Sequence, residues 1–379
     1  MSSVDATDDP AGRPGNGPGT RRPRSAVRTV VQGAFGLGLA AFLLAWGVPH
    51  FAKTSWSKIW DVLTQVPTGT ALLLLAGVVV GLYCYTFTLT GSMRGLRHWQ
   101  ALIVNVAGSS VGNLLPGGGA AGLAATYTIC RSWGFSRRDI STSAIVTGVW
   151  NVLARIALPV LAILGLLAGN DQDVPHKLED LAVAGAVSGS VILAVFVSIL
   201  ASERAAIAIG QGIDKVIGRL WKRRSMGVHS LVVDLRARIN EVVRTGWLSM
   251  TLGLVGFFGV YYLLFLLCAH TTGVDLPYGQ LFAAYAIGRL LTAVGVTPGG
   301  LGVTEAATTV ALVGWGAGHA EAAATVVLFS VFTHFMEIPL GALGWAAWSV
   351  SPKKAPVEET VAEATKATMA EPAEERLDD

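Results

Sequence analysis

Five ionisable residues stand inside otherwise apolar segments of this chain: Arg155, Arg289, Glu305, His334 and Glu337. A charged side chain at the centre of a membrane helix costs at least ~2.5–3.5 kcal/mol, so each must find a partner or a wet surface. Two kinds of chemistry fit, and both stay open at this level. The charges could form a buried ion-pair lock between parts of the fold, or they could line a hydrophilic cavity that receives a charged headgroup. Glu305 falls three residues into a helix predicted to begin at Val303, so it could complement that helix's N-terminal dipole or orient Arg289. His334 and Glu337 are one turn apart on one helical face, the spacing a proton relay would need.

Close to these residues the sequence interrupts its own helices twice. "NLLPGGGAAGLAATY" runs from Asn113 to Tyr127, and "GVTPGGLGVTEAAT" runs from Gly295 to Thr308. Pro116, Gly117 and Gly118 mark the first break, and Pro298, Gly299 and Gly300 mark the second. Backbone that leaves the helix at membrane depth exposes N–H and C=O groups, which survive only where protein or a cavity hydrogen-bonds them. The breaks therefore point to an internal cavity. Helices restart just after them, at Ala120 and Val303, and helix N-termini attract anions such as phosphate. "GGGAAG" matches G-x-G-x-x-G in form, but no strand precedes it, so dinucleotide binding is set aside. The glycines serve tight turns and close helix packing, phosphate contact, or both. Asn113 is placed to cap backbone groups freed by the first break. Asn151, with Trp150 beside it, is a lesser candidate for the same cavity.

The elements that must position these residues are helices in a bilayer. The chain has 379 residues, is 52% hydrophobic and 14% charged, and has a mean hydropathy of +0.54. Such a composition lies outside the soluble range. Apolar runs of at least the ~20 residues a bilayer requires fall at 30–49, 70–93, 140–169, 181–201, 247–270 and 321–350. The expected fold is an all-α integral membrane protein with about six full spans and two re-entrant helical hairpins. Residues 1–29 read as a disordered tail, and 351–379 as a disordered acidic tail with eight carboxylates against four basic residues. The first apolar run is too long for a signal peptide and is expected to remain as a span. Cys84, Cys130 and Cys268 lack any C-x-x-C spacing and read as packing residues, and no metal site is expected.

Lysine and arginine orient the chain, because they prefer cytoplasmic loops. With the N-terminus inside, 23 of the 28 basic residues are cytoplasmic; only Lys53, Lys58 and Lys177 fall outside, and Arg155 and Arg289 lie within apolar segments. Both termini are then cytoplasmic. The first broken pair, 99–115 and 120–130, enters and leaves on the cytoplasmic side. The second, 278–297 and 303–315, does so from the outside. An arm of about 11 residues rises only ~16 Å as a helix, too little to cross. Two like elements of opposite orientation make an inverted repeat with halves at roughly 99–169 and 278–350. Pro116 and Pro298 are 182 residues apart, and so are Arg155 and Glu337.

Outside the repeat, residues 50–66 place Trp56, Ile59, Trp60 and Leu63 on one face of a helix expected on the outer surface. Residues 202–246 are basic and periodically apolar, as expected of helices on an anionic inner leaflet. A juxtamembrane setting explains that charge, and no nucleic-acid partner is expected. Trp46, Trp99, Trp247 and Trp348 read as interface anchors.

"LLPGGGAAG" and "TPGGLGVTEA", each ahead of a long span, resemble the flippase-like integral membrane family, whose members are similar to the membrane domain of lysylphosphatidylglycerol synthases. The resemblance covers nearly all of residues 30–350. It implies a protein of the cytoplasmic membrane that moves, or helps to move, charged, polyprenyl or glycosylated lipids between leaflets. The second family motif usually has Arg before its Glu, where this chain has Thr304, and the family's Tyr-Arg pair in the last span is replaced by Thr333, His334 and Glu337. Positive charge would then come from Arg155 or Arg289. The resemblance is expected to stop at the membrane domain, without an aminoacyl-transferase part. Membrane lipids are the expected partners, with no cofactor and no enzymatic activity. A non-transporting regulator or scaffold of envelope-lipid enzymes, or an ion-coupled carrier for a small solute, are the alternatives.

Overall fold

The computed structural model describes residues 55–114, 118–168, 228–292 and 300–354, with Thr297 and single positions between 45 and 50 and between 187 and 207. The expected spans at 30–49 and 181–201, the surface segment as far as 227, both tails, and Pro116, Gly117, Pro298 and Gly299 lie wholly or largely outside the described residues. The described elements are helical: α1 Trp56–Leu63, α2 Thr68–Ser92, α3 His98–Leu114, α4 Gly118–Ser132, α5 Arg137–Ala168, α6 Val228–Thr271, α7 Tyr278–Leu291, α8 Val303–Gly314, α9 His319–Ser330 and α10 Glu337–Val350. A wide five-residue turn, Val331–Phe335, joins α9 to α10. Among the described residues, four stretches are long and apolar enough to cross a membrane: Thr68–Ser92, Arg137–Leu166, Val242–Thr271 and His319–Val350. This is a multi-pass membrane protein. Residues 228–246, expected within a surface segment, continue without interruption into α6.

Small residues decide how the two central spans meet. The helices α2 and α6 run antiparallel and pack along their length. In α2 the contact positions are Gly77, Gly81, Cys84, Thr88 and Gly91, opposite Leu264, Tyr261, Gly256, Gly253 and Gly246 respectively. Their spacing alternates between four and three residues, the repeat of a left-handed helix seam. Lipid is as apolar as a leucine face, so membrane helices associate by close fit and by hydrogen bonds rather than by hydrophobicity. Both are present. A Cβ added to Gly246 would lie 2.0 Å from the Gly91 carbonyl oxygen. The Thr88 hydroxyl donates to the Met250 carbonyl at 3.1 Å, and the Ser249 hydroxyl donates to the Phe87 carbonyl at 2.9 Å.

Two pairs of shorter helices flank this centre. In the first pair, α3 and α4, Gly108 and Gly112 face Gly122 and Gly118; a Cβ on Gly118 would lie 1.7 Å from the Gly112 oxygen. In the second pair, α7 and α8, Gly288 meets Thr308. The four arms have 17, 15, 14 and 12 residues. At about 1.5 Å per residue none reaches the ~30 Å of a bilayer core.

The halves repeat in register. The helix α5 spans 137–168 and the α9–α10 unit spans 319–350, so both ends are offset by 182. The first arm of each pair packs along the long span of the other half: α3 on α10, where Gly341 and Gly344 accommodate Ser110 and Val106, and α7 on α5, where Ala283 and Ala286 meet Ala162. Buried hydroxyl pairs repeat as well. Ser92 and Ser143 are 2.6 Å apart, joining α2 to α5; Thr272 and Thr325 are 2.6 Å apart, joining α6 to α9. Ser143 and Thr325 are again offset by 182.

Smaller contacts finish the assembly. The Ser55 side chain caps α1, whose buried Ile59 packs on Ala323 and Ala324. Trp348 Nε1 donates to the Ser132 hydroxyl at 2.8 Å, and Trp133 Nε1 donates to Ser351 at 3.0 Å, tying the end of α10 to the end of α4. The three cysteines are free.

Candidate functional site

A polar cavity of about 220 Å³ lies where these helices converge. Each wall is a stripe at helical spacing. The helix α3 supplies Asn105, Ser109 and Asn113 at i, i+4 and i+8; α5 supplies Asn151 and Arg155 at i and i+4; α7 supplies Arg289, and Thr292 three residues on is its C-cap. The turn after α9 supplies Thr333 and His334, and α10 begins with Glu337. Tyr85 from α2 and Tyr261 from α6 close the central side.

Local backbone explains why the charges sit where helices are least regular. Proline has no N–H to offer the carbonyl four residues earlier. Pro159, inside α5, therefore leaves the Arg155 carbonyl without its usual helical partner. Pro339 does the same to Phe335, the last residue of the wide turn, where Met336 N–H instead reaches the Val331 carbonyl at 3.0 Å. Such turns re-aim side chains and recur at functional sites. Here the turn faces Thr333 and His334 into the cavity.

Hydrogen bonds fix part of the lining and leave part of it open. Asn113 Nδ2 donates to Glu337 Oε2 at 2.9 Å, across the α3–α10 contact. Asn151 Nδ2 donates to the Tyr85 hydroxyl at 2.7 Å and to the Thr147 carbonyl at 2.9 Å. The Thr333 hydroxyl and His334 Nδ1 are 3.3 Å apart. By contrast Arg155 Nε, Arg289 Nε and Asn105 Nδ2 are buried with no hydrogen-bond partner among the described residues. The Arg289 side chain, 8% exposed, is held by ring faces instead: its guanidinium carbon is 5.6 Å from the Tyr285 centroid and 5.2 Å from that of Phe329. Cation–π contact steadies a guanidinium while leaving its N–H groups available.

Glu305 lies apart from the cavity, in a small chamber of about 10 Å³ whose wall shares Arg289 with it. That is room for roughly one water. The carboxylate is 1% exposed and already served by three donors. Oε2 accepts from Gly302 N–H at 2.5 Å and from the Thr304 hydroxyl at 2.9 Å; Oε1 accepts from the Ser330 hydroxyl at 2.5 Å. Glu305 is the third residue of α8 and caps the N-cap N–H, as glutamate does in a capping box. Gly302 has φ 85°, a conformation that glycine adopts without strain.

Six of the residues expected from the sequence thus meet: Arg155, Arg289, His334, Glu337, Asn113 and Asn151 line one cavity. Neither Gly118 nor Gly300 lines it. The missing side chain of Gly118 admits the backbone of Gly112, and that of Gly300 (φ 77°) admits Thr292. Asn113 and Thr292, just upstream of the two breaks, do line it. Trp150 instead donates to the Thr251 hydroxyl at 3.2 Å, joining α5 to α6. Asn105, Ser109, Tyr85 and Tyr261 were not singled out from the sequence. The four-residue spacing of Asn105, Ser109 and Asn113 within an apolar helix was the available signal. A tyrosine in a membrane helix carries no such signal.

A search against curated proteins returned no match. The family model described as "Lysylphosphatidylglycerol synthase TM region" matches residues 33–341, which takes in both broken pairs, the central spans and every residue lining the cavity. The chain belongs to the lysylphosphatidylglycerol synthase TM region family.

Proposed function

We propose that this protein is a non-enzymatic transporter of lipids, passing a charged or glycosylated headgroup across the cytoplasmic membrane through the cavity between its two halves. The observation that carries this reading is the cavity wall. It is built from stripes on six helices, it bears two arginines and a glutamate, and it lies near the middle of the long spans, since Arg155 and Glu337 each stand close to the centre of their 32-residue unit. Polar lining at that depth is maintained against a cost of several kcal/mol per group only where something polar occupies it. Each half contributes one arm to the other half's long span, an arrangement that lets two rigid units rock about a shared site. In this reading the arm pairs are re-entrant from opposite faces, and both termini are cytoplasmic.

Two experiments test the proposal. In liposomes with labelled anionic, zwitterionic or polyprenyl-phosphate lipids, the reconstituted protein should speed transbilayer movement of at least one lipid by tenfold or more over empty vesicles. No acceleration of any of them, in folded protein, would overturn the reading in favour of a regulator or scaffold. Topology is checked by single cysteines. Replacements at Gly273 and Gly318 should react with an impermeant reagent from outside, and those at Arg137 and Gly227 only from inside. Outside reaction at Arg137 would remove the first re-entrant pair.

A further inference from the structure

We propose that Glu337 carries one proton across the membrane with each singly charged anionic lipid, so that this protein couples lipid movement to a pH gradient by electroneutral symport. The inference rests on the reading of the cavity as a headgroup site and adds the ion that drives it. Four charged side chains meet there. Arg155, Arg289 and Glu337 line the cavity, and Glu305 reaches Arg289 through the wall that its chamber shares with the cavity. With both carboxylates ionised the two guanidiniums are balanced, so the empty site is neutral. The other titratable groups facing Glu337 are Tyr85 on α2, Tyr261 on α6 and His334 in the turn, uncharged as phenols and a neutral imidazole; α3 brings amides and a hydroxyl.

A singly charged anion entering a neutral site leaves one charge unbalanced at membrane depth, where charge is costly. A proton taken up with it restores the balance. The guanidiniums keep their protons at any physiological pH and have none to gain. The Glu305 carboxylate already faces the Gly302 N–H and the hydroxyls of Thr304 and Ser330, in a chamber with room for roughly one water, so a further hydrogen has no place there. Glu337 is different. It opens on a cavity of about 220 Å³, wide enough for the water that delivers a proton. One oxygen accepts from the Asn113 amide at 2.9 Å, and the other can take the hydrogen. Asn113 belongs to the first half and Glu337 to the second, so neutralising the carboxylate weakens a hydrogen bond that joins the halves. Proton uptake and cargo entry then act on one contact. His334 is the rival acceptor, but its Nδ1 lies 3.3 Å from the Thr333 hydroxyl within the same turn, a contact that does not join the halves. The step balances: water on one face gives a proton to Glu337 as the anion enters, and the O–H bond breaks on the other face as the anion leaves. Loaded and empty forms carry the same charge.

Phosphatidylcholine vesicles holding the full-length chain and a trace of chain-labelled phosphatidylglycerol decide this, with the membrane potential clamped by potassium and valinomycin. Phosphatidylglycerol keeps its one negative charge near neutral pH, so a pH gradient does not redistribute it unaided. A gradient of about one pH unit should enrich it about tenfold in the leaflet facing the alkaline side. A potential imposed without a pH gradient should leave the distribution even. Glu337→Gln, which has no proton to exchange, should show no enrichment at any rate of movement, and Glu337→Asp should retain it. Movement of phosphatidylglycerol with an even distribution under the gradient overturns the proposal and leaves lipid transport standing. That result in the wild-type chain counts even where the glutamine variant fails to fold. Movement of chain-labelled phosphatidylethanolamine without phosphatidylglycerol has the same meaning, whereas no movement of either lipid overturns both readings. Enrichment that survives Glu337→Gln overturns the assignment to Glu337, and its loss in His334→Gln would then move the proton to the imidazole.

Discussion

Glu305→Ala should destabilise the second arm pair by about 2 kcal/mol or more, because it leaves the buried Gly302 N–H and Ser330 hydroxyl without an acceptor, while the Thr304 hydroxyl keeps the Gly300 carbonyl at 3.1 Å. Hydrogen bonds to a charged group are worth about 1.5–3 kcal/mol each, and each buried donor left unmade costs about 1–3 kcal/mol. Both donors, with the Thr304 hydroxyl as a third, are directed at one carboxylate that is 1% exposed. Loss of a negative charge from the first turn of α8 adds about 0.3–1 kcal/mol. Thermal unfolding of the purified protein should show a clear drop in midpoint for Glu305→Ala and a smaller one for Glu305→Gln, which keeps one acceptor oxygen. The alternative is a headgroup contact, raised by the position of Glu305 beside the second break. Wild-type stability with abolished transport would favour that alternative and refute the capping role.

Gly246→Ala should be comparably damaging, although it adds one methyl group. The new Cβ would sit 2.0 Å from the Gly91 carbonyl oxygen, a backbone atom that no side-chain rotation can move. Relief requires α2 and α6 to part, which loosens the seam from Gly77 to Gly91 and the hydroxyl bonds at Thr88 and Ser249. Overpacking a tight interface costs about 1–3 kcal/mol, and more where backbone must shift. Gly259, on the same helix, has open space where its Cβ would go. Gly259→Ala should therefore leave stability unchanged or raise it by up to about 1 kcal/mol, through helix propensity alone. Fluorescence-detected size exclusion after a heating series measures both. Equal behaviour of the two variants would mean that α2 and α6 are not in direct contact. The site should feel the first change as well, since Tyr85 and Tyr261 reach the cavity from these helices.

Much of this molecule is legible in its residues before any folding. Hydropathy marks the long spans, because a bilayer imposes length on whatever crosses it. The spans at 70–93, 140–169, 247–270 and 321–350 agree with the folded helices to within a few residues, α6 excepted, whose helix begins at Val228. Proline and glycine mark the interruptions, because the missing N–H and the positive φ are local properties. The repeat is readable too, since Pro116 with Pro298 and Arg155 with Glu337 share the 182-residue offset that the helix ends later display. Ionisable residues in apolar segments were bound to matter, because their cost does not depend on which neighbours they have.

Which helices touch was not legible. A span such as α2 is apolar on every side, so periodicity does not tell the face that meets lipid from the face that meets protein. Only the tertiary structure sets α3 against α10 and α7 against α5, since those pairings depend on where small side chains let two backbones approach. The same fit brings Asn113 to Glu337 across 224 residues of chain and turns Glu305 away from the cavity into a chamber of its own. Charge and helix length are properties of a segment and can be read from it. The partner of a charge is a property of the packing, and packing exists only once distant helices have met.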